Sequence, residues 1–295
     1  MIRSVATSGD VVRLRAPAKI DLRLRILARE TTGYHQLETI FCAIDLADAL
    51  ELRPADSGID LVVEGAELGP PEGNLVHRAA RAFFDVAGIE PAVAIRLEKR
   101  IPAGAGLGGG SSDAASALVG LNRLFGDPLD SDTIRRLGAD LGSDVPFFLC
   151  GSPLALAWGR GERLYALPGL PQAPALVVVP PFGISTAEAY AALADRRAAA
   201  HSTPQPVVLS PDSVGGWTGI AEISGNDFEA PTFERYPGLR EARNALLDAG
   251  AIVAHLSGSG SALFGVFPDV EARDAAVALL RDRAPELRTI PTKTL

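Results

Sequence analysis

Ile101-Pro102-Ala103-Gly104-Ala105-Gly106-Leu107-Gly108-Gly109-Gly110-Ser111-Ser112-Asp113-Ala114-Ala115 is the stretch on which the reading of this 295-residue chain turns. Five glycines fall within seven positions and two serines follow, after which Ala114, Ala117, Leu118, Leu121, Leu124 and Phe125 recur at helical spacing. A flexible loop therefore feeds a helix start, with Ser111 or Ser112 expected as the N-cap. The free N–H groups and the positive dipole end of such a helix point back into the loop, where an anion such as phosphate is held. Glycine suits the loop because a side chain would keep backbone N–H groups from phosphate oxygens, and because such turns often need positive φ. A mobile loop before an ordinary helix is the plainer alternative, and the density of glycines with a serine cap argues against it.

Two common phosphate loops do not fit. A Walker A loop needs Lys directly after its last glycine, and Ser111 stands there. Gly104, Gly106 and Gly109 satisfy the letters of G-x-G-x-x-G, but a dinucleotide-binding unit leads from its helix to a second parallel strand. Here the segment after the helix, Ser131 to Leu141, has helical periodicity.

Composition sets outer bounds. With 47% apolar residues the chain is long enough for two closely packed domains, and the proline-rich segment from Leu167 to Pro174 reads as their boundary. Residues 1–168 and 169–295 are the expected division. A net charge of −8 and an isoelectric point near 5.1 argue against an extended nucleic-acid or anionic membrane surface. Cys42 and Cys150 lack a C-x-x-C spacing and read as reduced thiols of a cytoplasmic protein. His35, His77, His201 and His255 show no ligand spacing, so no structural metal site is expected. The polar N-terminus and short apolar runs such as Ala175 to Val179 give neither a signal peptide nor a membrane span.

Elsewhere, local chemistry leaves alternatives open. Val11 to Arg15 and Leu22 to Leu27 alternate as strands, with Lys19 at a junction interrupted by Pro17. Lys19 is either a solvated strand lysine or a group directed at an anion. Thr32-Gly33-Tyr34-His35 reads as a turn opening a strand, and Asn74 as the N-cap of the helix that follows it. Asp144 precedes the apolar run Val145 to Phe148, where a carboxylate is either a cap or a functional group. Residues 155–158 and 163–166 form a hairpin, 175–179 a strand, and 196–213 a mobile excursion. A second Gly/Ser turn, Ser257-Gly258-Ser259-Gly260-Ser261, lies between two strands, and helices are expected at 239–250 and 271–283.

The loop Pro102-x-x-x-x-Leu107-Gly-Gly-Gly-Ser-Ser-Asp-Ala-Ala resembles the phosphate loop of the GHMP kinases. Further segments are similar to that family in the same order: Pro17-Ala-Lys-Ile20, Gly33-Tyr-His35, Gly142-Ser-Asp-Val-Pro-Phe-Phe148 and the Ser257 to Ser261 turn. The triple glycine before Ser-Ser-Asp is most similar to the branch that phosphorylates the 2-hydroxyl of a cytidylyl-linked methylerythritol in isoprenoid precursor synthesis. The resemblance implies an α+β, two-domain GHMP kinase fold with the active site in an interdomain cleft. It implies ATP held by Pro102, Gly104, Gly106, Leu107, Gly108, Gly109, Gly110, Ser111 and Ser112, with Asn74 beside the adenine. Mg²⁺ is expected as the nucleotide's counter-ion, next to Ser111 or Ser112.

By the same resemblance Asp144 is the catalytic base, and Lys19 keeps it ionised and stabilises charge on the transferring group. Asp21, Tyr34, His35, Tyr190, Ser259 and Gly260 are the implied contacts to a small-molecule cytidylyl substrate, and no nucleic acid or membrane partner is implied. Asp21 departs from the family's Asn, exchanging a donor and acceptor for a pure acceptor. Another GHMP small-molecule kinase, or a silent homologue that binds nucleotide, would share the loop. A monomer or weak homodimer is expected.

Overall fold

The computed structural model describes residues 2–8, 11–29, 35–200 and 209–295. They form two compact units, each built from discontinuous segments: Met1–Ala18, Leu46–Ala103 and Gly108–Ser152 in the first, Lys19–Asp45, Gly104–Leu107 and Pro153–Leu295 in the second. Strands β2 (Val11–Arg29) and β3 (His35–Pro54) each contribute residues to both.

In the first unit, β1 (Arg3–Ser8) pairs antiparallel with the start of β2, from Ser8 opposite Val11 to Arg3 opposite Arg15. Val12 and Leu14 are buried while Arg13 and Arg15 are exposed, as the alternation requires. The expected break at Pro17 is absent, and one strand runs from Val11 to Arg29. Pro17 lies beyond the end of the β1 ladder at Arg15, so its missing N–H leaves no β1 carbonyl without a donor. The end of β3 pairs antiparallel with β5 (Ala92–Glu98), and β4 (Gly58–Glu64) lies parallel to β5 on its other side.

Among the described residues, four α-helices complete this unit: α1 (Leu75–Ala87), α2 (Gly109–Leu124), α3 (Ser131–Leu141) and α4 (Val145–Leu149). Asn74 caps α1 by accepting from Val76 N at 2.9 Å, and Asp130 caps α3 by accepting from Thr133 N. Ala114, Ala115, Ala117, Leu118 and Leu121 of α2 are buried. At Gly120 a Cβ would come within 2.6 Å of Leu14 and 2.9 Å of Leu52, so α2 lies directly on the sheet.

The second unit pairs the start of β3 with β6 (Leu154–Gly159), which turns back into β7 (Arg163–Ala166) as the predicted hairpin. A four-stranded antiparallel sheet has the order β10, β11, β8, β12, where β8 is Pro174–Val179, β10 Val253–Leu256, β11 Leu263–Val266 and β12 Arg288–Lys293. The helices are α5 (Thr186–Ala200), α6 (Pro211–Val214), α7 (Trp217–Ile223), α8 (Glu229–Arg235), α9 (Pro237–Asp248) and α10 (Val270–Arg283). The short strand β9 (Gly225–Asn226) runs parallel to β2 at Arg23 and Leu24. Leu176, Val178, Phe228, Leu246, Leu256 and Leu263 belong to one apolar core under these helices.

Part of the expected mobile excursion is regular structure. Residues 196–200 continue α5, where Arg197 donates to Ile26 O and to Asp227 at 2.7 Å, and Ser210 closes a capping box on α6. Residues 201–208 lie outside the described residues.

Candidate active site

The glycine loop is fastened at several points in the second unit. Lys19 N donates to Leu107 O at 2.9 Å, Ala262 N to Ala105 O at 3.2 Å, and Ser257 Oγ to Gly106 O at 2.9 Å. Gly106 has φ +79°, and a Cβ there would meet Ser257 O at 2.0 Å. Only glycine permits the two glycine-containing segments to approach this closely.

The helix that receives the loop starts differently from the serine-capped form expected. Gly108, at φ 68°, occupies the N-cap, and no side chain caps α2. Ser111 and Ser112 lie within the first helical turn, where Ser112 N already donates to Gly108 O at 2.9 Å. The left-handed turn at Gly108 brings the chain into the helix earlier than a serine cap would allow. Gly109, Gly110 and Ser111 consequently present their N–H groups at the open end of α2. The Ser112 hydroxyl is buried with no hydrogen-bond partner among the described residues.

Also in the first unit, Asn74 sits at the head of α1 and Asp144 opens α4. Asp144 is half-buried and makes no side-chain cap bond, although Ser143 Oγ lies 3.4 Å from its Oδ1. Val145, Pro146, Phe147 and Phe148 behind it are buried, which fixes the short helix and with it the direction of the carboxylate.

The second unit gathers Lys19, Asp21, Gly106 and the Ser257 turn. Lys19 is 3% exposed, its ammonium donates to Asp21 Oδ2 at 2.5 Å, and it lies 5.1 Å from the centre of the Phe41 ring. Asp21 is likewise buried; Thr39 Oγ1 donates to its Oδ1 at 3.0 Å. A Cβ on Gly258 would lie 3.5 Å from the Lys19 ammonium, so the second Gly/Ser turn passes beside the lysine. That turn is held by Asn226, whose Nδ2 donates to Leu256 O at 2.7 Å and Gly258 O at 2.8 Å. Beside it, His255 bridges Glu229 and Ser224, both at 3.0 Å. Ser259 shares a hydrogen bond with Thr186 at 3.1 Å, and Gly260 packs against Leu256 and Ile184.

His35 and Tyr190 come together, their rings stacked at 4.5 Å and 23°, with Tyr190 edge-on to Phe228 at 4.9 Å. Two rings at this spacing leave no room for a base between them, so a pyrimidine would stack on an outer face. Tyr34 lies outside the described residues.

Sequence reasoning did not single out the buried trio Asp48, Lys99 and Asp113. Burial pushes the Asp113 carboxyl up, to about 8; Lys99 pulls it down and Asp48 pushes it up again. Burial disfavours the Lys99 ammonium, yet Asp113 and Asp48 outweigh it and hold Lys99 above its ordinary value. Asp48 and Asp113 stand beside apolar residues, but Lys99 lies between Glu98 and Arg100 and carries no such signal.

The model for the GHMP kinases N terminal domain matches residues 74–152, and that for the GHMP kinases C terminal region matches residues 214–285. The chain belongs to the GHMP kinase family. The 4-diphosphocytidyl-2-C-methyl-D-erythritol kinase of Pelotomaculum thermopropionicum is 41% identical over 96% of this chain and 98% of its own length. That of Moorella thermoacetica is 42% identical over 97% of this chain and 100% of its own. A crystal structure of 4-(cytidine 5'-diphospho)-2C-methyl-D-erythritol kinase superposes with a TM-score of 0.79 at 37% identity, covering 96% of this chain and 98% of the other. Homoserine kinase from Cytophaga hutchinsonii, at 21% identity and a TM-score of 0.72 over 99% of this chain and 97% of the other, shares the fold. No described helix is long and apolar enough to cross a membrane.

Proposed function

We propose that this chain transfers the γ-phosphoryl group of ATP to the 2-hydroxyl of 4-diphosphocytidyl-2-C-methyl-D-erythritol, in the non-mevalonate route to isoprenoid precursors. The observation that carries the reading is the bond from Lys19 N to Leu107 O, which ties the proposed catalytic lysine to the loop proposed to receive ATP phosphates.

Phosphoryl transfer asks a protein mainly for positioning and charge stabilisation. The open N-terminus of α2 and the glycine loop hold the phosphates, and Asn74, at the head of α1, borders the adenine. Asp144 accepts the proton of the attacking hydroxyl, while Lys19 stabilises negative charge on the transferring group. His35, Tyr190 and Tyr34 hold the cytosine, and Ser259 and Gly260 border the substrate. A Mg²⁺ ion bound with the nucleotide would supply positive charge that offsets the phosphates. The buried Ser112 hydroxyl, which has no hydrogen-bond partner among the described residues, would help to hold it.

The test is a panel assay of ADP release by purified protein with the cytidylyl substrate, mevalonate and homoserine. Turnover of the cytidylyl substrate should exceed that of the other two by orders of magnitude. Preference for mevalonate or homoserine would overturn the substrate assignment.

A further inference from the structure

Lys99 is a buried cation with no part in the reaction described above. It follows the last residue of β5, and its ammonium contacts two carboxylates from distant parts of the first unit. Asp48 of β3 accepts one bond, and Asp113 of α2 accepts another at 2.6 Å. All three side chains are at most 4% exposed. The other oxygen of Asp48 accepts from Arg100 N at 2.5 Å and Ile101 N at 2.8 Å. The ammonium also lies 3.3 Å from where a Cβ of Gly109 would stand.

One charge thus holds both ends of the glycine loop. Through Asp48 it fixes the backbone of Arg100 and Ile101, which lead into the loop; through Asp113 it fixes the first turns of α2, which lead out of it. A buried ion pair is poor evidence for stability, because apolar side chains of similar volume often do as well. This one is distinguished by its targets: the hydrogen bonds gathered on Asp48 come from the backbone that precedes Pro102, and the ammonium borders the first residue of the phosphate-binding helix.

We propose that Lys99 is a positioning residue for the nucleotide phosphates, fixing the N–H groups of Gly109, Gly110 and Ser111 by clamping the chain on either side of the loop. The proposal rests on the nucleotide reading of that loop. Asp48 and Asp113 are the jaws of the clamp. Without the cation, the Asp48 carboxylate loses its buried counter-charge and its bridge to Asp113, and the helix start loses its fixed distance from Ile101.

The experiment measures ATP affinity by calorimetry, steady-state kinetics and melting temperature for the parent, Lys99→Met and the double variant Lys99→Met/Asp113→Asn. Displacing phosphate donors by a fraction of an ångström should weaken ATP binding about ten- to a hundredfold in Lys99→Met, with kcat at saturating ATP within about threefold of the parent. Affinity for the cytidylyl substrate should be unchanged. The double variant replaces the Asp113 carboxyl, stranded without its cation, by a neutral amide but does not restore the bridge, so it should regain melting temperature without regaining ATP affinity. If Lys99→Met is too unstable to purify, the double variant carries the same affinity test. ATP affinity within about twofold of the parent in a folded variant lacking Lys99 overturns the clamp, as does recovery of affinity in step with melting temperature. A parent that binds ATP tightly separates failure of the clamp from failure of the nucleotide reading, since only the latter abolishes ATP binding by the parent.

Discussion

The ammonium of Lys19 and the carboxylate of Asp21, two residues apart on β2, form an ion pair closed off from solvent, with N and O 2.5 Å apart and side chains 4% and 2% exposed. Residues i and i+2 of a strand share a face, so the carboxylate is directed at the lysine. Replacing it by Ala leaves a buried ammonium without this partner, and Asp21→Ala should lower kcat about ten- to a hundredfold. Asp21→Asn keeps an oxygen for Lys19 and turns its amide N–H to Thr39 Oγ1, which can accept it while donating to Arg23 O, and should stay within about threefold of the parent. A lower KM for the cytidylyl substrate in Asp21→Asn, with kcat unchanged in both variants, would instead assign the carboxylate to the substrate.

Asp144→Asn preserves shape but cannot accept a proton. Turnover should fall about 10²- to 10⁴-fold while ATP affinity, measured by calorimetry, stays near that of the parent. Near-normal turnover in the folded variant would make Asp144 a structural residue of α4.

At Gly106 any side chain meets Ser257 O and adopts a strained positive φ. Gly106→Ala should cost about 2 kcal/mol or more of stability and weaken ATP binding, because the loop and the Ser257 turn must separate. An unchanged melting curve would show that the two segments are not in contact in solution.

The stack of His35 on Tyr190 suits one face of a pyrimidine. Tyr190→Ala should weaken binding of the cytidylyl substrate by about ten- to a hundredfold and leave ATP binding intact. His35→Ala should relax discrimination among bases more than it lowers affinity. Both variants binding that substrate as the parent does would move the base elsewhere.

Asp113 should make stability depend on pH. Its folded value of about 8 lies above the ordinary 3.8, so between those limits the folded chain holds a proton that the unfolded chain releases. The contribution is fully present below about pH 4 and is lost as pH rises through about 8. Asp113→Asn stays neutral and does not lose it. Its melting temperature relative to the parent should therefore rise between about pH 5 and pH 8 and then level off. A difference independent of pH would mean that Asp113 ionises like an exposed carboxylate.

Short-range physics accounts for what was legible in the sequence. Helical periodicity marked α1 and α3, Asn74 as a cap marked the start of α1, alternation marked the start of β2, and the density of glycine marked a loop leading into a helix, because each signal depends on neighbours a few residues away. The ordered set of motifs extended that reading to the family. Position in the helix was less legible: both Gly108 and the serines satisfy local rules for a helix start, and the left-handed turn at Gly108 decided between them. The partner of Asp21 and the clamp around Lys99 required tertiary structure. Pairing Ala49 with Glu98 in the β3 and β5 ladder brings Asp48 next to Lys99, 51 positions away, while the seat of α2 on Leu14 and Leu52 brings Asp113 to the same ammonium. Strand register and helix seating are set by burial across the whole unit, and no local window of sequence contains them.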